Sequence, residues 1–168
     1  FEFHVFANRW VSCSDRIAFH RVPIISFPKF LTTPSFAFFA DRQIRRAGID
    51  LIHTHDRIFR ADMFTMHGVP HRFWVREVRR KRMSLYDRVT ALVEDRLIGD
   101  PRCRFFMPVS CLAEAIFMEE YVGVAPERIR VVHPGIDPGR YKGLDRISCR
   151  EALAGRFGIA PEERLILF

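Results

Sequence analysis

The sequence predicts an α/β protein built as a Rossmann-like, mostly parallel sheet with helices on both faces. Two observations predict it. Short runs rich in aromatic and β-branched residues, bounded by Pro, Gly or polar residues, alternate with longer amphipathic stretches over nearly all of the 168 residues. Hydrophobic residues make up 48% of the chain, ample for one core at this length, and no internal repeat or low-complexity tract breaks the alternation.

Taken in order, "FEFHVFA" and "RIAFHRVPII" read as strands. "PSFAFFADRQIRRAG" shifts to helical spacing, with Phe36, Phe39, Ile44 and Ala47 near one face and Gly48 as the stop. "DLIHTH" is a short buried strand and "DMFTMHG" another. Residues 72–98 form the longest helical candidate, closed by Gly99 and Pro101. At about 100° per residue, Trp74, Val75, Val78, Leu85, Val89, Leu92 and Val93 fall on one side of it. Arg72, Arg76, Arg79 and Arg80 gather on another. "CRFFMPVS" is again a strand, Ser110 is placed to cap the helix "CLAEAIFMEEY", and "RIRVVHPGID" is the strand after that. "SCREALAGRFG" gives a last helix, and "RLILF" reads as a buried strand that opens a further domain.

The formal charge is +7 and the pI near 9.8, which points to a polyanionic neighbour. The excess is local, because residues 72–82 carry six basic residues against one acid. No apolar run approaches the roughly 20 residues that span a bilayer, so the expectation is a soluble or peripheral protein. The opening "FEFHVFANRW" has neither an initiator Met nor a signal-peptide pattern, so a segment ahead of Phe1 is expected. Four cysteines without a CxxC or a regular framework suit a reducing compartment, hence the cytoplasm. The absence of GxGxxG, P-loop, GxSxG and HExxH patterns removes the usual carriers of dehydrogenase, ATPase, serine hydrolase and zinc protease chemistry.

In open parallel sheets ligands bind beyond the carboxyl ends of the strands, so "HTHD", "HGVPH", "VSCLAE" and "HPGID" are the segments of interest. His67 and His71 flank a loop shaped by Gly68 and Pro70, where imidazoles serve as hydrogen-bonding groups or general bases. The plainer alternative is two histidines satisfied by backbone. His53 and His55 alternate along "LIHTHD" and allow a metal reading with His67, but no Cys or carboxylate has matching ligand spacing, so no metal is expected. Arg72, Trp74, Arg76, Arg79, Arg80, Lys81 and Arg82 are candidates for contact with an anionic membrane surface, the alternative being a solvated arginine face. Nucleic acid is not expected as a partner, because neither an RNA-stacking aromatic pattern nor helix-turn-helix or finger spacing is present. Ser110 stands where a helix N-terminus offers free N–H groups to an anion, with simple capping as the alternative. Gly135 and Asp137 lie in a turn after a strand, exposing backbone amides.

In order, "DLIHTHD…ADMFTMHG", "CRFFMPVSCLAEAIFMEEYVGVAPERIRVVHPGIDPGRY" and "REALAGRFGIAPEERLILF" resemble the N-terminal half of a family 4 retaining glycosyltransferase. "HGVPHRFWVREVRRKR" is similar to the G-x-x-H-R-x-W loop and basic helix of lipopolysaccharide core glucosyltransferases. The resemblance implies a GT-B fold, with residues 1–143 as an acceptor-side domain lacking its first, Gly-rich strand. Residues 144–168 would be a linker helix and the first strand of a missing C-terminal donor domain. It implies retaining transfer from a nucleotide-sugar, a UDP-sugar, to a glycan or lipid-linked acceptor, with no metal or cofactor. His67 would lie beside the donor sugar, His71 would contact the acceptor or orient the loop, and Ser110, Gly135 and Asp137 would line the cleft edge. The rival expectation from another class is a non-catalytic peripheral module using its basic face on lipid or nucleic acid.

Overall fold

The computed structural model describes residues 1–11, 14–160 and 162–165. The chain packs as two compact units, Phe1–His133 and Pro134–Phe168.

In the first unit, β1 (Phe3–Ala7) pairs in parallel with β2 (Ile17–Arg21), from Phe3 opposite Ile17 to Ala7 opposite Arg21. α1 (Thr32–Ala47) follows and ends at Gly48, whose φ of 64° is the left-handed conformation that favours glycine at a helix end. Its apolar residues face the core: Ala37, Ala40 and Ile44 are buried, with Phe36 and Phe39 half-buried against them, while Ala47 is exposed. β3 (His53–Thr54), β4 (Met63–Met66) and β5 (Phe105–Pro108) form a second parallel sheet in the order β3-β4-β5.

The strands expected to build one sheet therefore build two. Among the described residues β1 is not hydrogen-bonded to β3. Instead His4, Val5 and Phe6 line one side of a cleft of about 320 Å³, and Leu51 to Asp56 line another.

The helix expected over 72–98 is also divided. α2 (His71–Phe73) runs into a single π turn at Trp74–Val78, the chain then leaves helical geometry, and α3 (Leu85–Ile98) begins afresh. Two local causes account for the break. Ser84 and Asp87 form a reciprocal capping box, the strongest start signal in the stretch. Ahead of it, "RRKR" stacks like charges that repel at helical spacing, and Arg80 takes a φ of 47°. The single apolar face consequently does not exist: Val75 and Val93 are buried, whereas Val78, Leu85 and Leu92 are exposed.

After β5, α4 (Cys111–Glu120) is capped by Ser110. The strand expected in "RIRVVHPGID" is reduced to one bridge, Ile129 to Phe106, plus hydrogen bonds from Arg130 and Val132 N–H to the Phe106 and Pro108 carbonyls. One continuous core is filled by Phe64, Met66 and Phe106 from the strands, Val93, Leu97 and Ile98 from α3, and Phe117 from α4.

The second unit contains α5 (Arg146–Phe157), capped by Asp145 and closed by Gly158 at φ 65°. "RLILF" falls largely outside the described residues.

Candidate functional site

The chain segments that follow β1, β2 and β3 open onto one crevice of about 460 Å³. Asn8 and Arg9 come from the end of β1, Ile24 from beyond β2, Asp56 and Arg57 from beyond β3, and His71 from the start of α2. Tyr86 and Thr90 on α3 and Thr32 and Thr33 on α1 complete the wall. A crevice beyond the carboxyl ends of parallel strands is where such sheets bind ligands, and its size suits a sugar-sized molecule.

Glu94, on α3, organises one side. It is fully buried, and a buried carboxylate is tolerable only when donors surround it. Here the Arg57 Nε donates at 2.6 Å, the His71 backbone N–H at 2.7 Å and the Tyr121 hydroxyl at 3.0 Å. Burial and the Glu94 charge push the Tyr121 hydroxyl far above its usual range, so it stays a donor.

His71 is buried and sits against Asp87, Nε2 to Oδ1 at 3.2 Å. Burial raises the Asp87 carboxyl, but hydrogen bonds from Ser84 and the Lys81 ammonium outweigh it and hold the group well below the usual carboxylate range. An ionised Asp87 only accepts, so Nε2 carries the proton and the neutral ring has its Nδ1 lone pair free to accept. Burial, followed by the Arg57 charge, lowers the His71 pKa below 6.5. The neutral ring is therefore the form present at pH 7, suited to receive a proton or a hydroxyl hydrogen bond.

The other predicted residues distribute as follows. His67 is exposed just past β4, with its Nε2 2.8 Å from His55 Nδ1. His53 and His55 are neighbours with ring centroids 4.6 Å apart, and His53 Nε2 lies 2.8 Å from the Thr65 hydroxyl. Burial, then the His55 and His67 charges, lowers the His53 pKa. Among the described residues no group of three metal-ligating side chains is arranged to hold an ion. Ser110 accepts the Ala113 N–H at 3.1 Å. Gly135 and Asp137 belong to the second unit, where Asp137 accepts the Gly139 N–H at 2.8 Å.

The basic segment is partly neutralised. Arg72 pairs with Asp95, Arg76 with Glu77 and Glu120, and Lys81 with Asp87 at 3.1 Å. Arg79 lies over the Trp74 ring, 4.9 Å from its centroid, and Arg80 and Arg82 are exposed. Sequence reasoning missed Arg57, Asp87 and Glu94. Glu94 carried a signal, since it stands in helical register with the buried Ala91, Leu97 and Ile98, a position where an unpaired carboxylate would not survive.

Parallel strands whose trailing loops open onto one crevice define a lobe of the Rossmann-like class, here the fold of the N-terminal half of a GT-B glycosyltransferase. Residues 1–140 match the family model described as Glycosyltransferase Family 4, and the chain belongs to that family. A search of the curated proteins found no match. Among solved structures, a crystal structure of WaaG, a glycosyltransferase involved in lipopolysaccharide biosynthesis, superposes with a TM-score of 0.77 at 19% sequence identity. The match covers 97% of this chain and 45% of that one, so the chain spans less than half the length of this structural relative.

Proposed function

We propose that this chain is the acceptor-side lobe of a retaining hexosyltransferase. It would move a sugar from a nucleotide-sugar, a UDP-sugar, to a lipid-linked or lipopolysaccharide-core acceptor at the cytoplasmic face of a membrane. The observation that carries the reading is the crevice, which gathers Arg57 and the neutral, Asp87-oriented His71 at one rim. Family membership supports glycosyl transfer as the chemistry. His71, with Nδ1 free, receives the hydrogen bond of the acceptor hydroxyl and fixes its direction of attack. His67, past the end of β4, faces the donor sugar. Ser110, at the start of α4, lines the cleft edge. No resident metal or cofactor takes part.

The open cleft between β1 and β3 supports the reading of this chain as one part of a larger enzyme. Residues of both strands line it, and the WaaG match spans 45% of that chain. Peripheral attachment would rest on Arg79, Arg80, Arg82 and Trp74, the members of the basic segment not tied to acids, at about 1 kcal/mol per basic residue near an anionic surface.

The test uses the full-length enzyme, a UDP-sugar and a lipid-linked acceptor, with the anomeric configuration of the product read by proton NMR. Retention is the expected result, together with a fall of roughly 100-fold in kcat for His67→Ala. Inversion removes the retaining mechanism, and an alanine variant with unchanged kcat removes His67 from the site.

A further inference from the structure

The crevice contains an arrangement that hydroxyl recognition alone does not require. The Arg57 guanidinium is fastened to buried Glu94 through Nε only, at 2.6 Å. Among the described residues neither of its terminal nitrogens has a hydrogen-bond partner, so the four N–H groups of the fork remain available on the crevice wall. Tyr121 and the His71 backbone N–H both donate to the other carboxylate oxygen, Oε1, and hold Glu94 in place behind the fork. A planar fork aimed by a buried carboxylate is preorganised for a two-oxygen anion.

Two more cations stand at the same rim. Arg9 lines the crevice and has no ion-pair partner among the described residues. Lys29 lies over the ring of Tyr86, itself a wall residue, at 5.3 Å from the centroid. Of the residues that line the crevice, Arg9 and Arg57 are the arginines and Asp56 the carboxylate, with Glu94 bound behind Arg57 and Asp87 behind His71.

We propose that Arg57, aimed by Glu94 and flanked by Arg9, is an anion-binding subsite for a phosphate or carboxylate group carried by the acceptor sugar, with Asp56 receiving neighbouring hydroxyls. The proposal rests on the acceptor-lobe reading and extends it to the substrate class: a charged sugar rather than a neutral one. Nothing in the subsite recognises a base, and the mixture of guanidinium and carboxylate suits a glycan better than a polynucleotide.

The experiment measures binding of glucose 6-phosphate, glucuronate, glucose and inorganic phosphate to the 168-residue chain by calorimetry at low salt. Glucose 6-phosphate or glucuronate is expected to bind at least about tenfold more tightly than glucose, and to weaken as salt is added. The tighter of the two identifies phosphate or carboxylate as the natural group. Arg57→Gln and Arg9→Gln are each expected to lower that affinity about tenfold. Arg46→Gln, on the exposed last turn of α1, should leave it unchanged. Arg9 is exposed, so its variant keeps the test informative where Arg57→Gln unfolds by orphaning Glu94; the double variant Arg57→Gln, Glu94→Gln serves the same end.

Equal affinity for charged and neutral sugars overturns the subsite, as does unchanged affinity in Arg9→Gln together with the double variant. The two readings fail separately. Charged sugars that bind here while the full-length enzyme transfers nothing would retain the subsite and sink the glycosyltransferase reading. Transfer to charged acceptors unaffected by Arg57→Gln would do the reverse.

Discussion

His71 illustrates how one residue's surroundings fix both its chemistry and its effect on stability. Its folded pKa is lowered, by burial first and by Arg57 second, so the folded chain takes up this proton at a lower pH than the unfolded chain, whose ordinary value is 6.5. Between those two values the unfolded state binds more protons, and acidification favours unfolding. The stability contributed by neutral His71 is thus complete above about pH 6.5 and lost progressively below it. Urea midpoints measured from pH 7.5 to 5 should fall on the acid side, and His71→Gln should reduce that slope without abolishing it, since His53 shifts in the same direction. A His71→Gln protein with the wild-type slope would mean the ring is not held neutral. Of this chemistry the sequence showed only the imidazole. The loop position of His71 was legible from Gly68 and Pro70. Its partner Asp87 was not, because the two stand 16 positions apart across a break that periodicity did not reveal.

At the scale of elements, strands and helices were legible wherever local signals agreed. α1 with its Gly48 stop, α4 with its Ser110 cap and the helix α5 all stand as expected. The failure at 72–98 has a physical cause: hydrophobic spacing continued through a stretch where like charges repel and a Ser84–Asp87 box restarts the helix. The break also changes which cations are available. Folding ties Arg72, Arg76 and Lys81 to Asp95, Glu120 and Asp87, leaving Arg79, Arg80 and Arg82 to act outward. In flotation with vesicles containing anionic lipid, Arg79→Glu, Arg80→Glu, Arg82→Glu should therefore lose most binding. At about 1 kcal/mol per basic residue, the three together amount to more than a hundredfold in affinity. Reversal of Arg72 should instead lower stability by breaking its pair with Asp95. Undiminished flotation of the triple variant removes the membrane contact.

At the scale of the whole molecule, alternation of short apolar runs with helices made the parallel α/β architecture readable, but pairing between distant strands leaves no trace in periodicity. That is why one sheet was expected where two stand. The gap between them has a shape that suggests what fills it. Among the described residues β1 and β3 each have one edge without a strand partner, residues of both line the same cleft, and unpaired edges beside apolar side chains are costly surfaces that proteins normally cover. Leu51, 59% exposed, and Ile49 and Ile52 line that cleft next to Phe36 and Ile44 of α1, so the core opens into it. A strand inserted there would join β2-β1 to β3-β4-β5 as one continuous sheet and would follow the Rossmann order in which the first strand lies centrally. Leu51→Lys separates the possibilities. In the 168-residue chain the side chain is largely in water, and the substitution should change stability by no more than about 0.5 kcal/mol. In a longer protein whose added strand fills the cleft, the same lysine would be buried against apolar neighbours. The cost should then rise to about 1.5–3 kcal/mol, read as a drop in urea midpoint. Equal effects in the two proteins would mean that the cleft stays open and that the two sheets remain separate in the longer protein as well.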